Sequence, residues 1–296
     1  MRHSKKMQVA DGDGEPLNQG PRLRLLTNAD HYTPSKKSQT SRKGNGSGKQ
    51  LQQLYRLYED AMEIYSQSAL AKTIEDMLRT KNRPRINKIV SLGLGSLLDA
   101  KDQQRRIKQL VVLTAIASHL TLSTSDKSKL RIYAQDPTFT AADETFLQSL
   151  DISVLKTPSI ANLGEAGRMI DEETLVYSPF LTLETYKLLL SSSQSADGTV
   201  RAPILVSDDF NALRLKWDKR TSERKDVEGL IQGAREYRRR AVSGEGFWTQ
   251  ADRPFPMALY WRNSEPRDVG AARNKIRSES QSSFSRFEHR AIPIYA

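Results

Sequence analysis

The chain has 296 residues, a net charge of +11 and no cysteine, which rules out disulfides, thiolate metal sites and cysteine nucleophiles together. Its four histidines, His3, His31, His119 and His289, are too scattered for a histidine metal cluster. No apolar run approaches the roughly 20 residues a membrane span needs. The charge is uneven: residues 1–50 carry +6, residues 51–211 carry −2 and residues 212–296 carry +7. This predicts a near-neutral folded middle with basic, solvated ends, able to touch nucleic acid or acidic partners nonspecifically. The opening M-R-H-S-K-K-M-Q has no apolar segment behind its charges and does not read as a secretory signal. The expectation is an intracellular protein, cytoplasmic or nuclear, with no membrane association.

Residues 1–48 are rich in Gly, Ser, Asn, Lys and Pro without sustained periodicity, and read as a disordered basic tail. Gly44-Asn45-Gly46-Ser47-Gly48-Lys49-Gln50 resembles a phosphate-binding loop. It lacks the four-residue gap before Gly48-Lys49, ends in Gln and follows no strand, so it reads as a flexible linker. Ser38, Thr40 and Ser41 stand among Lys36, Lys37, Arg42 and Lys43, as a phosphorylated or nuclear-address segment does, though such clusters arise often by chance.

Residues 49–82 carry Leu51, Leu54, Tyr55, Tyr58, Met62, Tyr65, Leu70, Ile74, Met77 and Leu78 at steps of three and four. The spacing predicts a helix or helix pair ended by Arg83-Pro84-Arg85, its tyrosines packing into the core rather than stacking on bases. Residues 85–262 form the predicted main domain. Ile89, Val90 and Leu92 make one buried strand, stopped by the turn Gly93-Leu94-Gly95-Ser96. A helix with Ile107, Leu110, Val111, Leu113 and Ile116 inward follows, with Arg105, Arg106 and Lys108 on its wet side. Then come a strand at Leu130–Ala134 ending in Gln135-Asp136-Pro137, and a helix from Thr140 with Asp143 and Glu144 in its first turn. Strands at Ile152–Leu155, Thr174–Ser178 and Val200–Val206 alternate with helices near Leu163–Ile170 and after Thr182.

The alternation predicts an α/β fold: a Rossmann-like parallel sheet of about five strands, helices on both faces, an N-terminal helical extension and disordered tails. Ser222–Val242 reads as a basic helix ending in Arg238-Arg239-Arg240. Phe255, Met257, Leu259, Tyr260 and Trp261 add a last strand or cover the core. Residues 263–296 read as an Arg/Ser-rich tail.

Right-handed crossovers would bring Gly93, Leu94, Gly95, Ser96, Asp136, Ser178, Pro179, Asp208 and Asp209 to one sheet edge, where such folds bind ligands. Strand, Gly-x-Gly turn and helix is an arrangement that offers backbone N–H groups to a small anion. The dinucleotide fingerprint is incomplete: the third glycine is missing, and Asp136 follows Gly95 by 41 positions rather than roughly 20. A shorter Gly-x-Gly signature leaves an S-adenosylmethionine-type methyltransferase, or another nucleotide-binding enzyme, as an alternative. Asp136 is equally readable as a strand-ending turn residue bonding nearby N–H groups. Asp136, Asp208 and Asp209 would hold a cation only if they converged, yet adjacent strand residues point apart. No Ser-His-Asp set is readable, so no catalytic residue is assigned and the cofactor stays open.

Together these points resemble the SRR-like domain family, named after the plant "sensitivity to red light reduced" protein. The carrying residues are Leu92-Gly93-Leu94-Gly95-Ser96, Gln109-Leu110, Tyr133, Asp136-Pro137, Phe139, Leu147, Leu150, Ile152-Ser153-Val154-Leu155 and Glu173 to Pro179. They span about residues 85–210. The family usually continues the fourth strand with Pro-His-Cys, where this chain has Pro179-Phe180-Leu181. Its fifth strand usually ends Gly-Asn-Ser, where this chain has Ser207-Asp208-Asp209. The long basic tails resemble a fungal elaboration. The resemblance implies a regulatory protein that works through protein partners: light and circadian signalling in plants, and growth, cytoskeleton or haem regulation elsewhere. No accepted catalytic activity comes with it.

Overall fold

The computed structural model describes residues 45–79, 83–122, 129–156, 163–191 and 202–262. All lie in one unit, Lys43–Ala296. Residues 1–44 of the predicted tail 1–48, the predicted tail 263–296, and Val200 fall outside the described residues.

Two helices open the fold, α1 (Asn45–Ser66) and α2 (Ala69–Leu78), so the expected helix pair is present. Ser68 separates them by capping α2, its Oγ accepting the Ala71 N–H at 3.2 Å. The stretch read as a flexible linker at Asn45–Gln50 is instead the start of α1, because the apolar stripe beginning at Leu51 extends the helix backwards once it is anchored. Strands and helices then alternate: β1 (Lys88–Leu92), α3 (Gln103–Leu122), β2 (Arg131–Gln135), α4 (Ala141–Ser149), β3 (Ile152–Val154), α5 (Gly164–Met169), β4 (Thr174–Ser178), α6 (Leu183–Ser191) and β5 (Ile204–Asp208). After β5 come α7 (Phe210–Leu215), α8 (Ser222–Gly233), β6 (Arg238–Val242) and β7 (Met257–Trp261).

The sheet has seven strands in the order β3-β2-β1-β4-β5-β7-β6. The first five strands in the chain pair in parallel, and β7 is antiparallel to both β5 and β6. Two points correct the sequence reading. Among the described residues the sheet has seven strands where about five were expected, β6 and β7 being added, and Arg238–Val242 is a strand rather than the end of a helix. The backbone leaves α8 at Gly233 and Ala234, and the arginines then pair with β7.

Every residue of β1, β4 and β5 is buried, as central parallel strands covered on both faces require. Alternate residues serve two cores. Ile89, Leu175, Tyr177, Ile204 and Val206 pack towards α1–α4, while Val90, Leu92, Val176, Leu205 and Tyr260 pack towards α6–α8. α3 is buried almost all round between the sheet and the α1–α2 pair, with Ile107, Leu110, Val111, Val112 and Leu113 inaccessible or nearly so. The tyrosine stripe packs as expected. Tyr55 and Tyr58 meet Phe146 edge-on at 5.0 and 6.1 Å, and the Tyr58 hydroxyl bonds Thr114 at 2.7 Å.

Lys108 is a further correction. It is buried, not on the wet side of α3. Its ammonium donates to the Phe247 carbonyl at 2.9 Å and to Asp252 Oδ2 at 2.6 Å. The connection between β6 and β7 folds over α3 and brings these acceptors to it.

Candidate functional site: the carboxyl edge of the sheet

The chain leaves β1 for β2 on one side and reaches β4 on the other, so the strand order reverses between β1 and β4. Crevices at such switch points, outside the carboxyl ends of the strands, are where open α/β sheets bind ligands. All the sequence-predicted residues lie along this edge, and they fall into two groups.

The first group surrounds the Gly93–Ser96 turn. Gly93 and Gly95 have φ of 74° and 73°, a region side chains adopt at a cost, so glycine is required by the turn itself. Four N–H groups of the loop, those of Gly93, Gly95, Ser96 and Leu97, already have acceptors. Gly93 N–H donates to the Gln135 carbonyl at 3.3 Å and Gly95 N–H to Asp136 Oδ2 at 2.9 Å. Ser96 N–H reaches Thr138 Oγ1 at 3.0 Å, and Leu97 N–H reaches Asp143 Oδ1 at 2.9 Å. Asp136 also accepts from Thr138 N–H and Oγ–H through Oδ1, at 2.9 and 2.6 Å. It therefore makes the strand-ending turn and covers the glycine loop with the same carboxylate. Leu94 is buried in the core below. Arg106 lies against Gly95, donates to the Ser96 carbonyl at 2.7 Å and pairs with Asp99 at 3.1 Å.

The second group sits on β4 and β5. Ser178 is fully buried and its Oγ has no hydrogen-bond partner among the described residues. Its carbonyl accepts the Tyr186 hydroxyl at 2.6 Å. Pro179 and Phe180 turn the chain, Phe180 with a φ of 68°. The Phe180 N–H donates to Asp208 Oδ1 at 3.0 Å. Burial pushes the Asp208 carboxyl up to about 6, against the opposing hydrogen bond from Phe180. Asp209 points elsewhere: it caps α7 and holds Arg239 through a two-pronged ion pair.

Leu181 links the groups, since a Cβ on Gly93 would run into Leu181 Cδ2. Phe180 also carries the Arg105 guanidinium 5.1 Å over its ring and meets Trp248 at 6.5 Å. Beyond Trp248 a cavity of about 400 Å³ opens among Leu70, Val242, Phe255 and Met257. β6 runs parallel to β5, so this cavity lies on the same edge. Among the described residues no group of three or more acidic or histidine side chains is placed to hold a metal. Asp136, Asp208 and Asp209 each bond a different partner.

Sequence reasoning did not single out Thr138, Phe180, Leu181 or Trp248 as part of this edge. It read Asp143 only as a charge at a helix N-terminus. Asp143 does complete a capping box with Thr140, but its other oxygen reaches back 46 positions to Leu97. Thr-x-x-Asp signals the box; nothing local signals the second contact.

The SRR1 domain model matches residues 60–287, so the chain belongs to the SRR1 domain family. A search of curated proteins by sequence found no match. Among solved structures the chain is similar to a putative O-methyltransferase from Klebsiella pneumoniae, at 10% identity and a TM-score of 0.40 over 73% of this chain and 90% of that one. It is also similar to the Methanococcus jannaschii fibrillarin pre-rRNA processing protein, at 11% identity, a TM-score of 0.36, and 63% and 71% coverage. A third is the O-methyltransferase TomG from Streptomyces achromogenes, at 10%, 0.36, and 70% and 90%. No helix among the described residues is long and apolar enough to cross a membrane.

Proposed function

We propose that this SRR1 domain is a non-catalytic regulatory module that acts by binding protein partners, and that its glycine loop is an anion site occupied by the chain's own carboxylate. The observation that carries the reading is the capture of the Gly95, Ser96 and Leu97 N–H groups by Asp136, Thr138 and Asp143. A phosphate or nucleotide anion would reach the Gly95 N–H only by displacing Asp136, and the Ser96 and Leu97 N–H groups only by displacing Thr138 and Asp143 as well. The two places where the chain departs from the family pattern, Phe180 and Asp208, touch one another. A phenylalanine neither gives nor takes a proton, so general acid–base work at that position is absent. Both features weigh against the methyltransferase-type alternative. The nucleic-acid alternative rests on tails outside the described residues. Light, circadian or other signalling is the kind of role the family reading favours.

Thermal melting against S-adenosylmethionine, nucleotides, sulfate and phosphate tests this. The expected result is no shift in the natural chain. Asp136→Ala should melt lower, by about 1–3 kcal/mol for leaving the buried Gly95 N–H without its acceptor, and should regain stability in sulfate or phosphate. A ligand that stabilises the natural chain by the few kcal/mol expected of a saturated site, and fails to do so in Gly95→Val, would overturn the reading and favour enzyme chemistry.

A further inference from the structure

The sheet ends at β6, which pairs with β7 on one side and has no strand on the other among the described residues. Its burial is unusual beside the rest of the sheet. Arg238, Arg239, Arg240 and Ala241 are all exposed, and only Val242 is buried. An open edge displays unpaired backbone donors and acceptors, a template for another strand.

The three arginines are not equivalent. Arg239 is opposite Tyr260 and is committed to Asp209. Arg238 and Arg240 lie opposite Trp261 and Leu259, on the other face of the ribbon. Neither has a carboxylate partner among the described residues, whereas Arg239 and Arg262 do. Two cations two residues apart on one face, beside an open backbone edge, set the spacing of acids that an added strand would carry.

We propose that β6 is a docking edge for an extended acidic peptide segment of a partner protein, added as an eighth strand with carboxylates at alternate positions facing Arg238 and Arg240. Charge selects the partner. A second copy of the chain would set arginine against arginine across the junction, which disfavours self-pairing. A strand with acids at i and i+2 turns the same feature into attraction, while main-chain hydrogen bonds supply the affinity. The edge lies apart from the glycine loop, so the inference does not depend on whether that loop takes a ligand.

The test uses fluorescence anisotropy with the full chain and a labelled, end-capped (Glu-Val)4 peptide. Controls are (Lys-Val)4 and (Glu-Val)4 N-methylated at every second residue, which keeps the charge and blocks one edge of the backbone. The expected result is binding of (Glu-Val)4 alone, weakened about tenfold or more in Arg238→Glu/Arg240→Glu, a loss of about 1.4 kcal/mol or more. That variant should instead gain affinity for (Lys-Val)4. Amide exchange at 238–242 should slow only when (Glu-Val)4 is present. Four results would overturn the proposal: no binding by the natural chain, equal binding by the double variant, equal binding of the N-methylated peptide, or tighter binding of oligo(dT) through the same arginines. The last would make the patch a nucleic-acid contact. Arg238→Ser/Arg240→Ser, which adds no new charge, guards against a folding artefact and should also lose (Glu-Val)4.

Discussion

At Gly93 a single hydrogen decides whether the switch-point loop closes. Its φ of 74° alone makes an alanine cost about 1–2 kcal/mol, and the new Cβ would also drive Leu181 from its place. Gly93→Ala should therefore destabilise by more than the backbone cost. Gly93→Ala/Leu181→Ala should recover the steric part against Leu181→Ala alone, with the backbone part remaining. Urea denaturation of the four proteins gives the coupling energy; its absence would mean Leu181 does not seal the loop. Asp208 gives a second prediction, with a definite sign. Its carboxyl is raised from 3.8 to about 6 in the folded chain, so the folded state holds the proton more tightly than the unfolded one. The stability this group contributes is present below about pH 4 and is lost as the pH rises to about 6. Asp208→Asn should match the natural chain at pH 4 and exceed it by about 2–3 kcal/mol at pH 8, at ~1.4 kcal/mol per unit. Equal stabilities at pH 8 would place the Asp208 carboxyl at an ordinary value.

Among the elements, the connection between β6 and β7 depends on a buried ion pair more than on its own sequence. Asp252 takes Lys108 Nζ at 2.6 Å and also the Thr249 N–H and hydroxyl at 2.8 and 2.9 Å. Burial works against its charge, yet these donors outweigh it and hold the carboxyl below its usual value. Breaking one partner leaves the other buried and unpaired, so Lys108→Met should cost about 3–5 kcal/mol. Adding Asp252→Ala should restore part of that, and a double variant no better than the single would show that the aspartate's remaining donors already compensate. The same pair shows where sequence reading stops. The periodicity of α3 placed its apolar residues correctly, but Lys108 counted as polar and so as wet, because its partner lies 144 positions away. β6 was illegible for a related reason: an edge strand with four exposed residues carries no alternating apolar signal. β1, β4 and β5 were legible because both their faces are buried, while the partly exposed β2 and β3 were legible from short apolar runs between helical segments. At the site, the 41-position gap that spoke against a ribose contact for Asp136 is the span over which its carboxylate returns to Gly95.

For the molecule as a whole, the helical extension belongs to the core although the family-like motifs lie in the α/β part. Leu54, Tyr58, Ala61 and Tyr65 of α1, with Leu70, Ile74, Met77 and Leu78 of α2, are buried in the same apolar cluster as Ile89, Leu110 and Tyr177. At about 1.5–3 kcal/mol for each large side chain, their gross contribution is on the order of 10 kcal/mol. A domain's whole net stability is about 5–15 kcal/mol. Losing α1 and α2 would also strip one side of α3, whose residues 107–113 are all buried and have no wet face to present. A chain beginning at residue 83 should therefore lack a cooperative melting transition and bind a hydrophobic dye, while one beginning at residue 45 should melt cooperatively. Tyr58→Phe, which removes only the hydroxyl bonded to Thr114, should cost about 1 kcal/mol in the full chain. If the chain from residue 83 melts cooperatively near the full chain's temperature, the α/β part is self-sufficient and α1–α2 is an appended layer.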